Sequence, residues 1–145
     1  MSYTYKYPRP SVSVDIMVFL ENKTSFKVLL IQRKNPPFQN MWALPGGFMD
    51  MDESLYEAAV RELKEETNIE NTELKQFKTY SDPDRDPRGR TISTIFFTFI
   101  DESPGEAKAA DDASNLAWFD INDLPDLAFD HSQIIHDASL ELFDK

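Results

Sequence analysis

Alternating apolar and polar positions near the start of the chain predict a β-hairpin. Over residues 11–20, small or polar side chains alternate with aliphatic ones and then give way to an apolar run, as in a half-buried strand. A polar turn follows at 21–25, and the apolar segment 26–32 matches a second strand. Similar patterns predict further strands at 73–80, 90–100 and 116–120, and a short extended segment at 42–48.

A capping pattern marks the start of the first predicted helix. Ser54 is followed three residues later by Glu57, which predicts a helix from about residue 54 to 67. The apolar side chains that we expect this helix to pack against a sheet are Tyr56, Ala59, Val60 and Leu63.

A second helix is predicted near the end of the chain. Asp130 with Gln133 has the same capping pattern, and the helix should reach about residue 143. Its side chains available for burial are Ile134, Ile135, Ala138 and Leu142. Strands before, between and after two helices predict an α/β fold with a mixed sheet covered on both faces.

Length and composition indicate one globular domain over residues 1–145. The chain has 145 residues, of which 41% are hydrophobic, and this suffices for a full core. Its net charge is −11 without any basic run, so we expect no nucleic-acid partner. Cysteine is absent, no apolar segment is long enough to cross a membrane, and residues 1–10 lack a signal-peptide core. We therefore expect a cytoplasmic protein that meets a small anionic substrate with metal ions or a few arginines.

Three carboxylates on the first predicted helix are the strongest chemical signal in the sequence. Glu62, Glu65 and Glu66 stand at positions i, i+3 and i+4, which share one helix face. A hard divalent cation such as Mg²⁺ would relieve their mutual repulsion, because it prefers oxygen ligands. A solvated acidic face is the alternative, but it does not account for the glycines at 46–47 or for Arg61 among the carboxylates.

The segment from Gly47 to Ile69 resembles the Nudix box, the signature of the Nudix hydrolases. That pattern is glycine, five residues, glutamate, seven residues, Arg-Glu, an aliphatic residue, any residue, Glu-Glu, any residue, glycine and an aliphatic residue. The matching residues are Gly47, Glu53, Arg61, Glu62, Leu63, Glu65, Glu66 and Ile69. Asn68 stands where the family has glycine, and we expect it to end the helix in a left-handed conformation, which Asn tolerates next best after Gly.

The resemblance implies a Nudix α/β/α sandwich and a metal-dependent attack of water on phosphorus. Mg²⁺, or alternatively Mn²⁺, is the implied cofactor. Its implied ligands are Glu62, Glu65 and Glu66 together with the Gly47 carbonyl. Arg61 is implied to hold the carboxylates in place, while Glu53 either joins the metal shell or braces Arg61.

The general base is left open by the sequence. In some Nudix enzymes a box glutamate activates the water, and in others the base lies in a distant loop. Asp111 and Asp112, just before the strand at 116–120, are candidates, with a polar turn as the alternative.

Segments around the box are similar to the ADP-ribose pyrophosphatase group and to the ligand-sensing domains of Nudix-type transcriptional regulators. These segments are RKNPPFQNMWALPGGF, SDPDRDPRGR, ADDA and LAFDHSQII. The substrate-binding residues that the resemblance implies are Asp15, Arg33, Arg88 and Asp112. An arginine fork suits phosphate oxygens, and Asp15 could accept hydrogen bonds from a ribose or an adenine amine unless it faces solvent.

Several neighbouring residues have structural alternatives. Trp42, Phe38 and Phe48 could stack on a base, but for Trp42 and Phe48 we expect packing in the core. Arg85 and Arg90 are equally consistent with surface charges, and we expect His131 at a helix cap or on the surface.

Taken with the resemblance, these residues predict Mg²⁺-dependent hydrolysis of ADP-ribose to AMP and ribose 5-phosphate. One alternative is a non-catalytic domain that senses ADP-ribose or a sugar phosphate. Regulators of that kind carry a winged-helix segment after the domain, whereas this chain ends at Lys145 and keeps every acidic box residue. A hydrolase of oxidised nucleoside triphosphates is a second alternative, which the DPRG segment disfavours. A homodimer paired through the sheet or the N-terminal strand is compatible with the resemblance.

Overall fold

A computed structural model describes residues 2–21, 25–101 and 113–143 of the chain. The strands found there are β1 (Ser11–Glu21), β2 (Phe26–Arg33), β3 (Trp42–Ala43), β4 (Gly46–Phe48), β5 (Lys75–Tyr80), β6 (Thr91–Ile100) and β7 (Ala113–Asp120). The helices are α1 (Leu55–Thr67) and α2 (His131–Leu142). Within these ranges, no helix is long and apolar enough to span a membrane.

The strands form one mixed sheet, as predicted. Its order is β3–β2–β1–β6–β5, with β4 also paired to β1 and β7 to β2. β1 and β6 run parallel, and the other pairs are antiparallel. The predicted hairpin is confirmed, since Phe19 on β1 lies opposite Val28 on β2. The extended segment predicted at 42–48 forms two separate short strands, and the strand predicted to start at residue 116 already begins at Ala113.

β1 and β2 are neighbours only at their hairpin end. β1 pairs with β2 through residues 19–21 and with β4 through residues 13–15. β2, in turn, pairs with β3 through residues 31–32. β6 pairs with the outer edge of β1, and β7 pairs with the outer edge of β2. Beyond the hairpin end, the inner edges of β1 and β2 diverge, and the chain from β3 to β4 lies between them. This divergence opens a cleft on the sheet.

A helix covers each face of the sheet, which confirms the α/β/α sandwich. Helix α1 lies over the core cluster of Val14, Ile16, Val18, Leu29, Ala58, Ala59, Leu63, Ile69, Leu74 and Phe96. Helix α2 lies over the cluster of Met17, Phe19, Val28, Leu30, Leu44, Ile95, Ile134, Ile135 and Ala138. Full burial of one large aliphatic or aromatic side chain contributes about 1.5–3 kcal/mol, so these two layers hold both helices on the sheet.

Helix α1 begins and ends at the predicted residues. The Ser54 hydroxyl accepts a hydrogen bond from the Glu57 N–H at 3.1 Å, and the Glu57 carboxylate accepts one from the Ser54 N–H at 2.8 Å. These two bonds complete the capping box. Asn68 ends the helix with φ 67° and ψ 7°, so the left-handed conformation predicted for it is confirmed.

The buried face of α1 differs from the prediction. Ala59 and Leu63 are buried as expected, but Tyr56 and Val60 are exposed and Ala58 is buried instead. The helix is therefore rotated toward the side on which Glu66 lies, and that carboxylate is itself buried. A stripe read from apolar residues alone misplaces the buried face, because one of its inward positions carries a carboxylate.

Helix α2 begins without the predicted side-chain cap. Asp130 precedes its first residue but makes no capping hydrogen bond, because both carboxylate oxygens accept from Arg85 at 2.8 Å. Ile134, Ile135 and Ala138 are buried as predicted, and Leu142 is partly buried against the same layer.

Candidate active site

The cleft between the diverging strands has a cavity volume of about 100 Å³ and opens to solvent. Its floor comes from β1 and β2, one wall from α1 and the glycines of β4, and the other from the 81–90 loop and the start of α2. The polar and charged lining side chains are Ser13, Asp15, Arg33, Glu66, Arg85, Asp86, Arg88, Ser93 and His131.

Arg61 is the centre of a charge network on the helix wall. It donates to both carboxylate oxygens of Glu53, with the shortest contact at 2.6 Å, and to Glu62 at 2.9 Å and Glu65 at 3.2 Å. A further donor reaches the Phe48 carbonyl at 3.1 Å. Hydrogen bonds from Arg61, and next from the Asp50 N–H, lower the pKa of Glu53 to about 2. Glu53 thus braces Arg61 in this structure, which is one of the two roles that the sequence left open.

Two glycines bring the backbone of β4 against the helix carboxylates. The Gly46 N–H donates to Glu66 at 2.7 Å. A Cβ on Gly47 would lie 2.4 Å from a carboxylate oxygen of Glu62, and a Cβ on Gly46 would lie 2.1 Å from the Val14 carbonyl. Gly46 therefore needs glycine because a Cβ would meet backbone, whereas a Cβ on Gly47 would displace the Glu62 carboxylate.

Arg88 lies across the cleft between aromatic rings. Its guanidinium carbon is 4.8 Å from the Phe48 ring centroid and 5.0 Å from that of Phe129. Asp86 holds it through two side-chain hydrogen bonds of 3.1 and 2.8 Å. Burial alone would raise the pKa of Asp86, but the bonds from Arg88 outweigh it and the pKa lies below its usual value. Phe48 is exposed at the cleft, so the prediction that it packs in the core is wrong.

Arg33 approaches Arg88 from β2. Its guanidinium carbon is also 5.0 Å from the Phe129 ring, and its Nε donates to the Pro37 carbonyl at 2.7 Å. Burial, followed by the positive charge of Arg88, lowers the pKa of Arg33. The two arginines therefore make this part of the cleft positively charged.

Arg85 is buried, which the sequence did not reveal. Its side chain is 5% exposed and forms a two-bond ion pair with Asp130 at 2.8 Å. A third donor reaches the Ser93 hydroxyl at 2.7 Å, and Ser93 shares a hydrogen bond with Ser13 on β1. Arg85 thereby fastens the 81–90 loop to α2 and the sheet. Arg90 remains exposed, in agreement with its surface alternative.

His131 is also buried, so its predicted place at a cap or on the surface is wrong. Its Nδ1 accepts a hydrogen bond from the Leu44 N–H at 3.0 Å. Its Nε2 lies 3.6 Å from a carboxylate oxygen of Asp15. Asp15 is likewise buried at the floor of the cleft, and the solvent-facing alternative for it is excluded. Trp42 packs in the α2 core layer against Phe119, as predicted.

Residues 9–138 match the family model described as NUDIX domain, which covers most of the chain. The chain belongs to the Nudix family. The match includes the helix carboxylates, both glycines and the arginine wall of the cleft, so it covers the whole described site.

Named Nudix relatives resemble the chain over nearly its full length. An ADP-ribose pyrophosphatase from Methanocaldococcus jannaschii is 49% identical over 131 residues, which are 90% of this chain and 74% of that protein. An ADPR responsive transcriptional repressor, NtrR, from Acinetobacter baylyi is 34% identical over 96% of this chain and 57% of its own length. The NUDIX domain of Shewanella oneidensis NrtR, solved with ADP ribose, has a TM-score of 0.87 and 32% identity over 97% of this chain and 94% of that chain.

The Nudix carboxylates offer the donor chemistry that a divalent metal requires. Nudix hydrolases generally use divalent metal ions, and Glu62, Glu65 and Glu66 supply hard oxygen donors on one face of α1 beside the cleft. Among the described residues, no three acidic, histidine or cysteine side chains converge on one point, and Arg61 binds Glu62 and Glu65. The oxygen donors of these three glutamates therefore fit a divalent cation, although Arg61 holds Glu62 and Glu65 in this structure.

The structure brings together most of the residues implied by the Nudix resemblance. Asp15, Arg33, Arg88 and Glu66 line one cleft, with Gly47 among them. Asp111 and Asp112, considered as bases and, for Asp112, as a substrate ligand, lie outside the described residues. Of the box glutamates, only Glu66 is among the lining residues. The polar and aromatic lining residues whose place in the site the sequence analysis missed include Ser13, Asp86, Ser93, Phe129 and the buried side chains of Arg85 and His131. Only their clustering around the DPRG and FDH segments could have indicated them.

Proposed function

We propose that this chain hydrolyses the pyrophosphate bond of ADP-ribose, giving AMP and ribose 5-phosphate, with Mg²⁺ or Mn²⁺ as cofactor. One observation carries the proposal: Glu66 of the acidic box and two arginines from other segments, Arg33 and Arg88, line a single cleft, and Arg61 holds the two other box glutamates on the same helix. The identity to an archaeal ADP-ribose pyrophosphatase supports this choice of substrate.

The ligands proposed for the ion are Glu62, Glu65 and Glu66, with the Gly47 carbonyl as a further ligand, and Gly47 lies against the Glu62 carboxylate. When bound, the cation neutralises the pyrophosphate and polarises the P–O bond. Arg61 positions Glu62 and Glu65 by its hydrogen bonds, and it shares its remaining donors with Glu53 and the Phe48 carbonyl.

Arg33 on β2 and Arg88 on the 81–90 loop would bind the phosphate oxygens. Asp86 fixes the Arg88 fork from one side, and the Phe48 and Phe129 rings hold its flat faces. A water oxygen then attacks phosphorus, and the bridging P–O bond breaks. The proton of the water passes to a carboxylate, for which a box glutamate and the Asp111–Asp112 pair are both candidates.

A second function is favoured by the similarity to the repressor and to the ADP-ribose complex of the NrtR domain. In that case, the cleft binds ADP-ribose as a signal and leaves it intact. The chain spans 57% of the repressor's length, so any partner of the whole protein is a proposal as well. Cytoplasmic location, the lack of a nucleic-acid partner and pairing into a homodimer also remain predictions.

A substrate panel tests the proposal. The purified protein is incubated with ADP-ribose, ADP-glucose and an oxidised nucleoside triphosphate, each with Mg²⁺, with Mn²⁺ or with excess chelator, and the products are separated by chromatography. We expect AMP and ribose 5-phosphate from ADP-ribose with either metal and no product with chelator. Full turnover after exhaustive chelation would refute the metal mechanism.

Calorimetric titration with ADP-ribose separates the two functions. Micromolar binding with no product under any metal condition would establish the sensor instead of the hydrolase. Preferred turnover of the oxidised triphosphate would keep the chemistry and reject the substrate.

A further inference from the structure

Two buried polar groups at the floor of the cleft face the same space. The His131 side chain is 5% exposed and the Asp15 side chain 12%. Because His131 Nδ1 accepts from the Leu44 N–H, it carries no proton, and the neutral ring holds its proton on Nε2. The Nε2–H is thus a donor beside Asp15, but the separation of 3.6 Å is too long for a hydrogen bond.

The Asp15 carboxylate has no donor of its own in the described part of the chain. His131 Nε2 lies 3.6 Å from one of its oxygens, Arg33 acts on it through its charge, and its other oxygen faces Gly46. Burying a carboxylate without a donor is costly, so such a group in a native protein calls for an explanation, and a bound ligand is one. The floor of the cleft therefore presents one acceptor and one donor side by side.

We propose that Asp15 and His131 bind the vicinal diol of a ribose. Each hydroxyl group can donate one hydrogen bond and accept others. One hydroxyl of the diol donates to the Asp15 carboxylate, and its neighbour accepts from His131 Nε2–H. Two adjacent hydroxyl oxygens match two protein groups that lie too far apart to bond each other but close enough to share one sugar edge.

The position of the pair favours a sugar over a base. Asp15 Oδ1 lies 2.4 Å from where a Cβ on Gly46 would be, and the Gly46 N–H donates to Glu66. Gly46 therefore lies between Asp15 and Glu66. The proposed function places the pyrophosphate beside Glu66. The diol belongs to the same sugar as the phosphate, whereas the edge of an adenine lies a whole ring system further away.

This inference rests on the proposed function for the location of the phosphate, but it can be tested without turnover. Titration calorimetry in the presence of Mg²⁺ compares ribose 5-phosphate with 2-deoxyribose 5-phosphate, and AMP with 2′-deoxy-AMP. We expect a preference of about tenfold for the diol in one of the two pairs, as loss of one hydrogen bond to a buried charge gives. The discriminating pair identifies which ribose of the substrate occupies the site.

Two variants attribute the preference to these residues. Asp15→Leu removes the acceptor at similar shape, and His131→Asn keeps an oxygen near the Leu44 N–H while removing the Nε2–H donor. We expect both to reduce the preference to below about threefold, and the melting temperature of Asp15→Leu to stay the same or rise, because a buried carboxylate without a donor is removed. His136→Asn, an exposed histidine on the same helix, is the matched control and should keep the full preference.

Equal affinity for both members of each pair in the wild type, or no binding of any of the four at millimolar concentration, would overturn the inference. A lower melting temperature of Asp15→Leu with an unchanged preference would do the same, since it would show a structural role only. Turnover of ADP-ribose without diol preference rejects this inference and keeps the proposed function. Diol preference without turnover keeps this inference and rejects the proposed hydrolase function.

Discussion

Arg61 and Arg85 both bind carboxylates beside the same cleft, but the two arrangements differ in sequence range and in burial. Arg61 is 27% exposed and shares its donors among Glu53, eight residues earlier, and acids of its own helix. The Arg85 side chain is 5% exposed, and the carboxylate that it hydrogen-bonds, Asp130, lies 45 residues away. The first network is local and shared among several acids, while the second depends mainly on one long-range ion pair. We therefore expect changes at the helix wall to affect catalysis and changes at Arg85 to affect stability.

The largest effect is expected for Glu66→Gln. The substitution keeps an oxygen for the Gly46 N–H but removes the charge that the proposed metal needs. We expect kcat to fall by about two orders of magnitude or more with an unchanged melting temperature, as loss of charge stabilisation in the transition state does. Glu65→Gln should act in the same direction.

Glu70→Gln is the control for these charge removals. Glu70 is exposed to a similar extent as Glu65 but pairs with Lys64 outside the cleft. Equal losses of kcat in Glu70→Gln and Glu65→Gln would show that kcat depends on the overall negative charge of the protein and not on the carboxylates of the Nudix box.

Arg85→Ala should produce the largest loss of stability. It leaves Asp130 without its partner, and because Asp130 is one-quarter exposed we expect a loss of about 3 kcal/mol, or a melting temperature about 10 °C lower. Arg90→Ala, in the same loop but exposed, should change the melting temperature little. If the two variants had the same melting temperature, the Arg85–Asp130 ion pair would not be what holds the 81–90 loop in place.

Arg88→Ala and Arg61→Ala should separate binding from catalysis. Arg88 is proposed to hold the substrate equally in the ground and transition states, so its removal should raise KM by about tenfold with kcat nearly unchanged. Removal of Arg61 should instead lower kcat and stability, since Glu53, Glu62 and Glu65 lose their shared cation. Steady-state kinetics on both variants provide the measurement, and identical profiles would contradict this division of roles.

Substitutions of Asn68 should have a smaller effect on stability. They test the C-terminal end of α1, the helix that carries the Arg61 network. Its φ of 67° is strained for a β-branched residue, so Asn68→Val should destabilise the protein by about 1 kcal/mol or more. Asn68→Gly should be neutral or slightly stabilising, since glycine adopts positive φ without steric cost. Thermal melts of both variants check this. A valine variant as stable as the wild type would mean that the helix ends differently in solution.

The smallest effect concerns the pH dependence of the Arg61 network. The pKa of Glu53 is about 2 in the folded protein and near its ordinary 4.5 when unfolded, so the carboxylate stabilises the fold above pH 4.5. That contribution is lost as the pH falls from 4.5 toward 2. The stability difference between wild type and Glu53→Gln, from denaturant titrations, should shrink over this window. We expect it to be small because Arg61 keeps Glu62 and Glu65 as partners, and a pH-independent difference would contradict the pairing.

The sequence alone determined the elements and the acidic wall. Apolar alternation located the strands, the Ser54–Glu57 pair located the start of α1, and fixed helical spacing set three carboxylates on one face. All of these features depend on residues that are close in the chain. A helix or strand has a fixed side-chain period, so the spacing of residues in the sequence determines which side chains share a face.

The tertiary structure decided the other wall of the cleft. Asp130 resembles a helix cap until Arg85 is docked against it, and His131 resembles a surface histidine until the Leu44 N–H and Asp15 enclose it. Whether such a polar side chain is exposed, pairs with a charge or lines a site depends on which distant segment packs there. Local propensity contains no information on that, because the partners meet only where β1 and β2 diverge and the loops close over the gap.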